Sequence, residues 1–240
     1  MNLKVYLVFF SLLLINFLFP REILAGNMTG YGVIFASSAD YPSLKSKGKI
    51  DMIETVISTN WKGALDQAEA NGQKLVIIPG WQSNQVCQGS NAWTWYGSNW
   101  SLNSTGIAFM DFIAGYIKGG GKGFRALYTV HEPYNYTHSP NCTTDAQKKL
   151  YSMLKTESAN RGLTDIQLPL YAEIDTMTQS DFGPGLCDYC ADWYYPNGEC
   201  SGSTWEARVS SCITKMKSNY QSLSAKSPNS TFVAYMQSFG

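Results

Sequence analysis

Residues 124–135, FRALYTVHEPYN, decide how the rest of the sequence is interpreted. The apolar run at 126–130 is typical of a buried strand. Pro133 cannot donate to a sheet ladder and biases Glu132 toward an extended conformation, so the strand ends there. The sequence therefore places a carboxylate at the carboxyl end of an apolar strand. In parallel α/β proteins that edge binds ligands and carries the chemistry.

Six further strands are predicted in the 240-residue chain, and helical patterns separate most of them. Such alternation favours a mainly parallel sheet, and the polar or aromatic residues at the strand ends favour a (β/α)8 TIM barrel. One βα unit is missing, so we expect a barrel truncated after Gly240. An open doubly wound sheet is the alternative, although no glycine-rich phosphate loop follows the first strand. The further strands are predicted at residues 31–37, 54–59, 74–79, 166–175, 189–196 and 231–237.

The N-terminus has the pattern of a secretory signal peptide. A lysine in residues 1–4 precedes an apolar segment at 5–19, and small residues near Ala25 form a cleavage site. We therefore predict a signal peptide over residues 1–25 and a single domain over residues 26–240. An N-terminal membrane anchor is the alternative, but the apolar segment is short for a full span. The mature protein is expected to be secreted and free of the membrane.

Composition argues against several classes of partner. The chain carries 18 basic and 18 acidic residues with no charged block, so nucleic acid is not an expected ligand. An uncharged polysaccharide or oligosaccharide fits this balance, and the 14% aromatic content would serve it. We expect a monomer without a cofactor. A metal site is not predicted, because the two histidines, His131 and His138, form no H-E-x-x-H pattern.

The six cysteines all follow the predicted cleavage site, which favours disulfides in an oxidising compartment. The pair Cys187 and Cys190 also has zinc-ligand or redox spacing, but no second C-x-x-C accompanies it. Six N-x-S/T sequons predict a glycoprotein if the chain enters a eukaryotic secretory pathway. They begin at Asn27, Asn99, Asn103, Asn135, Asn141 and Asn229.

Carboxylates at the predicted strand ends are the candidates for catalysis. Glycoside hydrolysis needs a carboxylic acid beside the glycosidic oxygen and a second carboxylate nearby. Glu132 is the first candidate, and Glu173 and Asp192 are candidates for the second. Asp175 shares a strand face with Glu173 because side chains alternate along a strand. A salt bridge or hydrogen bond at the barrel rim is the alternative role for each of these acids.

Aromatic residues also collect after the strand ends. Sugar rings present apolar C–H faces that stack on aromatic side chains, while their hydroxyls bond to polar groups nearby. Packing in the core is the alternative for each residue taken singly. The candidates for substrate binding are Trp81, His131, Tyr134, Asp175, Trp193, Tyr195 and Gln237. A long polar segment with several tryptophans, residues 82–103, is predicted to be a functional loop.

The sequence resembles the large superfamily of (β/α)8 glycoside hydrolases, in which strand four ends in Asn-Glu-Pro or Asp-Glu-Pro. His131-Glu132-Pro133 stands at that point. The stretches DWYYP at 192–196 and MQSFG at 236–240 are similar to the D-x-Y-P and Q-x-F-G strand ends of these relatives. The resemblance covers residues 31–240 and implies that Glu132 is the general acid/base.

Two departures from this superfamily affect the implied activity. His131 replaces the usual Asn or Asp, and Gln237 occupies the position where many members have the glutamate nucleophile. Glutamine cannot ionise and cannot serve as that nucleophile. Either Glu173 or Asp192 supplies the second carboxylate, or the barrel binds glycans without cleaving them.

The layout implied by the resemblance also suggests disulfide pairs. Cys87 and Cys142 lie in the loops after strands three and four, which are neighbours at one rim. The other four cysteines would then pair locally around strand six.

We therefore expect a secreted glycoside hydrolase. A catalytically inactive glycan-binding or cell-surface barrel is the alternative. A structural protein without a ligand site is disfavoured by the polar and aromatic residues at one sheet edge. A serine hydrolase is disfavoured because no G-x-S-x-G motif is present.

Overall fold

A computed structural model describes residues 31–34, 39, 41–48, 50–80, 90–131, 140–173, 182–196, 198 and 200–236. Seven strands form one sheet in the order β1-β2-β3-β6-β7-β8-β9, and all neighbouring pairs are parallel. A separate antiparallel hairpin holds β4 and β5. The strands are β1 (Tyr31–Ile34), β2 (Ile50–Val56), β3 (Lys74–Ile78), β4 (Trp93–Trp95), β5 (Trp100–Leu102), β6 (Phe124–His131), β7 (Leu170–Glu173), β8 (Tyr189–Tyr194) and β9 (Thr231–Met236).

Within the described ranges five helices lie between the strands, and four of them are capped by a polar side chain. Asn60, Asn103, Thr143 and Thr204 each accept a hydrogen bond from a backbone N–H in the first turn of the following helix. The helices are α1 (Tyr41–Gly48), α2 (Trp61–Ala70), α3 (Ser104–Lys118), α4 (Thr144–Asn160) and α5 (Trp205–Lys226).

The two faces of the sheet bury different sets of side chains. The outer face packs Ile53, Leu127 and Leu170 against helix residues such as Leu65 and Leu150. The inner face buries a cluster to which, among the described residues, only strands contribute. Helices on a single face are expected of a barrel wall, whereas a doubly wound sheet has helices on both faces. The predicted fold class is confirmed as a parallel partial barrel with seven strands. The inner cluster consists of Met52, Val76, Ile78, Ala126, Tyr128, Tyr171 and Ala191.

The predicted bounds of two strands are wrong. β2 begins at Ile50 and ends at Val56, because Ser58 and Thr59 are exposed and leave the ladder. β7 begins at Leu170, since residues 164–168 form turns before it. The end of β2 and the start of β7 are misplaced because β-branched or apolar residues extend beyond the strand itself, whereas the first four residues of β2 are missed by the prediction.

The sequence predicts a loop over residues 82–103, but the second half of this segment contains the β4–β5 hairpin. Trp93 and Trp100 are buried, and the Trp100 indole N–H donates to the Ala146 carbonyl in α4 at 2.7 Å. Asn103 then caps α3, and its own side-chain amide donates to the Asn91 carbonyl at 2.5 Å. Aromatic burial thus fixes a segment that composition alone does not distinguish from a loop.

Strand β6 has two irregularities in its ladders. Against β3 the register shifts between the pairs Leu75–Phe124 and Val76–Ala126. Against β7 it shifts at Thr129, which is an extra residue on β6 and whose hydroxyl donates to the Tyr171 carbonyl at 2.9 Å. Such bulges bend a strand and change the direction in which its end points.

Disulfides link Cys187 with Cys190 and Cys200 with Cys212, so the predicted local pairing around β8 is confirmed. Cys142 is also disulfide-bonded. Cys87, its expected partner, lies outside the described residues. Within the described part of the chain, no three His, Cys, Asp or Glu side chains are grouped as metal ligands would be.

The predicted signal peptide at 1–25 also lies outside the described residues. In the ranges that the structure describes, no helix is long and apolar enough to cross a membrane.

Candidate functional site

The carboxyl ends of β6 and β7 lie side by side at one edge of the sheet. The ladder pairs His131, the last residue of β6, with Glu173, the last residue of β7. Glu132 is the next residue in the sequence after His131, the residue that lies opposite Glu173. Of the other predicted site residues, Trp81, Glu132, Tyr134, Asp175 and Gln237 lie outside the described residues.

Glu173 lies on the inner face of the sheet. Tyr171 belongs to the inner cluster and Ala172 to the outer one, so alternation places Glu173 inside. Its side chain is 1% exposed, and its Oε2 accepts a hydrogen bond from the Tyr128 hydroxyl at 2.5 Å. The carboxylate is thus held by a donor on the neighbouring strand.

A second inner carboxyl group, Glu54 on β2, was not among the predicted site residues. It is fully buried near the hydroxyls of Tyr171 and Tyr235, although neither contact has full hydrogen-bond geometry. Burial raises the pKa of Glu54 well above its usual value, the charge of Glu173 raises it further, and the two tyrosines oppose the rise. One signal in the sequence is the position of Glu54. It stands midway between Met52 and Val56, two apolar residues on the inner face of the same strand.

Three tyrosines complete the inner group around these acids. Burial raises the pKa values of Tyr128, Tyr171 and Tyr235 well above the usual 10.0, and the nearby carboxylates Glu54 and Glu173 raise them further. The three hydroxyls therefore keep their protons in the neutral range and can act as hydrogen-bond donors.

Aromatic rings are stacked at the ends of β8 and β9. The ring of Trp193 stacks on Tyr235 with centroids 4.8 Å apart, and on Tyr195 with centroids 6.1 Å apart. The ladder pairs Trp193 with Tyr235, so the row runs across two strands. All three side chains are half-buried. Two of these residues, Trp193 and Tyr195, are predicted substrate-binding residues that the structure does bring together.

Asp192 lies on the opposite face of the sheet. Its Oδ2 accepts hydrogen bonds from the Tyr194 hydroxyl at 2.8 Å and from the Asn219 side-chain amide in α5 at 2.7 Å. Its Oδ1 accepts from the Trp193 backbone N–H at 3.0 Å. Burial raises the pKa of Asp192 to about 6, while these hydrogen bonds and Lys215 oppose the rise. The structure therefore does not bring Asp192 together with Glu173.

Comparison with known proteins finds no matching family model and no similar curated sequence. Solved structures do match. A glycoside hydrolase family 17 β-1,3-glucanosyltransferase from Rhizomucor miehei has a TM-score of 0.51 at 13% identity, over 87% of this chain and 71% of that chain. An active-site mutant of the R. miehei β-1,3-glucanosyltransferase forms a complex with laminaritriose.

Two bacterial glycosidases are similar to the same extent. A monomeric β-xylosidase from Caulobacter crescentus CB15 has a TM-score of 0.54 at 12% identity, over 86% of this chain and 50% of that chain. A β-glucuronidase from an uncultured Clostridium sp. has a TM-score of 0.52 at 12% identity, over 86% of this chain and 35% of that chain. These likenesses show that the chain shares a barrel fold with these proteins.

Proposed function

We propose that the protein is a secreted glycoside hydrolase that cleaves O-glycosidic bonds with Glu132 as general acid/base. The observation that carries the proposal is the pairing of His131 with Glu173 across β6 and β7. Neighbouring strands lie about 4.8 Å apart, so Glu132, the next residue after His131 in the sequence, is proposed to act together with Glu173 at the sheet edge. A pair of carboxyl groups at such an edge is what glycoside hydrolysis requires.

Glu173 is the better candidate for the second carboxylate. It is on the inner face and at the edge where β6 ends, whereas Asp192 is bonded to α5 on the outer face. Gln237, at the position of the superfamily's usual nucleophile, cannot ionise. A separation of about 5 Å between the two carboxyl groups would give retention, and about 6.5–9.5 Å would give inversion.

The ligand is proposed to be an uncharged oligosaccharide or polysaccharide. Trp193 and Tyr195, in a row with Tyr235, offer stacked rings near the same edge as Glu173. The zero net charge of the chain suits a neutral glycan. β-1,3-Glucan is the first substrate to test, because laminaritriose binds to a protein of similar fold. Trp81, His131, Tyr134, Asp175 and Gln237 are proposed to contact the substrate.

The test is hydrolysis of β-1,3-glucan and a panel of other neutral polysaccharides by the secreted protein, followed as new reducing ends. Glu132→Gln is expected to lower the rate about 10²- to 10⁴-fold, the usual contribution of a positioned acid or base. Glu173→Gln is expected to lower it similarly, and the exposed Glu206→Gln is the matched control. Equal rates for wild type and Glu132→Gln would contradict the proposal.

A second function, glycan binding without cleavage, is favoured by the glutamine at position 237. In that case the folded protein would bind one glycan of the panel in a pull-down and release no reducing ends. Substitution of Trp193 by alanine would weaken that binding, whereas Glu132→Gln would leave it unchanged.

A further inference from the structure

The inner face of the sheet buries two acids, Glu54 on β2 and Glu173 on β7. Glu54 is fully buried and Glu173 is 1% exposed, and the charge of Glu173 acts on Glu54. In the described part of the chain, no basic group contributes to the electrostatic environment of Glu54. Two carboxylate charges in such a place would be costly, because burial removes the solvent that would otherwise stabilise them.

The groups that interact electrostatically with Glu54 come from three strands. β6 contributes Tyr128, β7 contributes Tyr171 and Glu173, and β9 contributes Tyr235. Both oxygens of Glu54 and the hydroxyls of Tyr171 and Tyr235 lack a partner at full hydrogen-bond geometry within the described residues. The surroundings thus hold weak donors and a second acid, a composition that favours an uncharged Glu54.

We propose that Glu54 and Glu173 form a buried acid pair that together holds a single proton, and that this proton resides on Glu54. The uncharged Glu54 then acts as a positioning residue, because it lets Glu173 remain on the inner face with its hydrogen bond from Tyr128. The importance of this positioning for catalysis rests on the proposed function. The proton itself does not, since burial and the charge of Glu173 favour it whether or not the protein is an enzyme.

The test is infrared spectroscopy of the intact secreted protein near pH 8, where ordinary carboxyl groups are ionised and only a strongly shifted one keeps its proton. Wild type is expected to show the carbonyl band of a protonated carboxyl group, and Glu54→Gln is expected to lose it. Glu173→Gln should keep the band, because burial alone disfavours the charged form of Glu54. Asp192→Asn is the matched control: Asp192 is also buried but, with a pKa of about 6, is ionised at this pH.

Carbon-13 labelling of glutamate carboxyl groups gives a second measurement that needs no variant. One glutamate resonance of the wild type should remain at the chemical shift of the protonated form near pH 8, while those of exposed glutamates should have moved to the ionised position.

Two results would contradict the proposed acid pair. A protonated-carboxyl band that persists in full in Glu54→Gln would place the proton elsewhere. Its absence from wild type, together with a rise in melting temperature on adding sodium, potassium or calcium salts above a matched ionic strength, would place a cation between the acids instead. If the infrared spectra are as expected but no glycan is cleaved, the proposed hydrolase function is rejected and the proposed acid pair still stands.

Discussion

The inner and outer faces of the sheet each bury a carboxyl group, and they surround it differently. On the outer face Asp192 accepts three hydrogen bonds and has the ammonium group of Lys215 in its electrostatic environment. On the inner face Glu54 has phenol hydroxyls at incomplete geometry and a second acid. Both carboxyl groups are buried, yet the pKa of Asp192 rises moderately and that of Glu54 rises strongly.

The difference shows that partners, and not burial alone, decide whether a carboxyl group remains ionised. Donors stabilise the charged form and limit the rise of the pKa, whereas a neighbouring negative charge adds to it. The outer site is therefore suited to a structural role between β8 and α5. The inner site is suited to hold a proton.

The largest effect is expected from making the outer site resemble the inner one. Asn219→Asp would replace a donor to Asp192 with a second carboxylate. We expect a loss of roughly 3–5 kcal/mol in the free energy of unfolding near neutral pH, the range for a buried charge left uncompensated. Urea denaturation would show a smaller loss near pH 4. Ser218→Asp adds the same charge on the exposed side of α5 and should be nearly neutral; a similar loss there would point to net charge instead.

The next effect is the pH dependence that Asp192 itself contributes. Its pKa rises from 3.8 to about 6 on folding, so the native state binds more protons than the unfolded state between these values. Stability is therefore lost as the pH rises through this window, by roughly 3 kcal/mol. Between pH 4 and pH 7, the unfolding free energy of Asp192→Asn should therefore increase relative to that of wild type by about this amount. The exposed Asp165→Asn should show no such shift.

A second pH-dependent effect is expected from Glu54→Gln. The folded-state pKa of Glu54 lies well above its usual 4.5, so its contribution to stability is present at acid pH and is lost as the pH rises. The variant has no such loss. We expect its stability relative to wild type to increase steadily as the pH rises into the alkaline range, because only wild type must keep or lose the proton of a buried carboxyl group. Denaturation at several pH values would measure it, and a difference that shrinks as the pH rises would contradict it.

The smallest effect is expected from Tyr194→Phe, which removes one of three hydrogen bonds to Asp192. The loss should be about 1 kcal/mol, and the pKa of Asp192 should rise further because a donor to its charged form is gone. Carbon-13 NMR titration of the aspartate carboxyl groups would measure that pKa. Tyr220→Phe, on the exposed side of α5, serves as the control.

The sequence is sufficient to predict the order of the seven strands in the parallel sheet, because Gly, Pro and polar residues separate apolar runs, but not the β4–β5 hairpin. It was not sufficient for the side of the sheet on which each acid lies. Asp192 and Glu173 both stand at strand ends and differ only in the parity of their positions relative to the inner cluster. The sequence predicts a strand that begins at Glu54. Met52 then falls outside the predicted strand, and the inner position of Glu54 between Met52 and Val56 is not recognised.

The extra residue Thr129 also has a consequence for the comparison of related sequences. With the bulge, Val130 and His131 are opposite Ala172 and Glu173; a regular ladder of the same length would place Val130 opposite Glu173. A relative whose strand is one residue shorter here would keep the observed pairs without a bulge. An alignment gap therefore belongs at Thr129, and the order His131-Glu132-Pro133 at the sheet edge is preserved through a change in chain length.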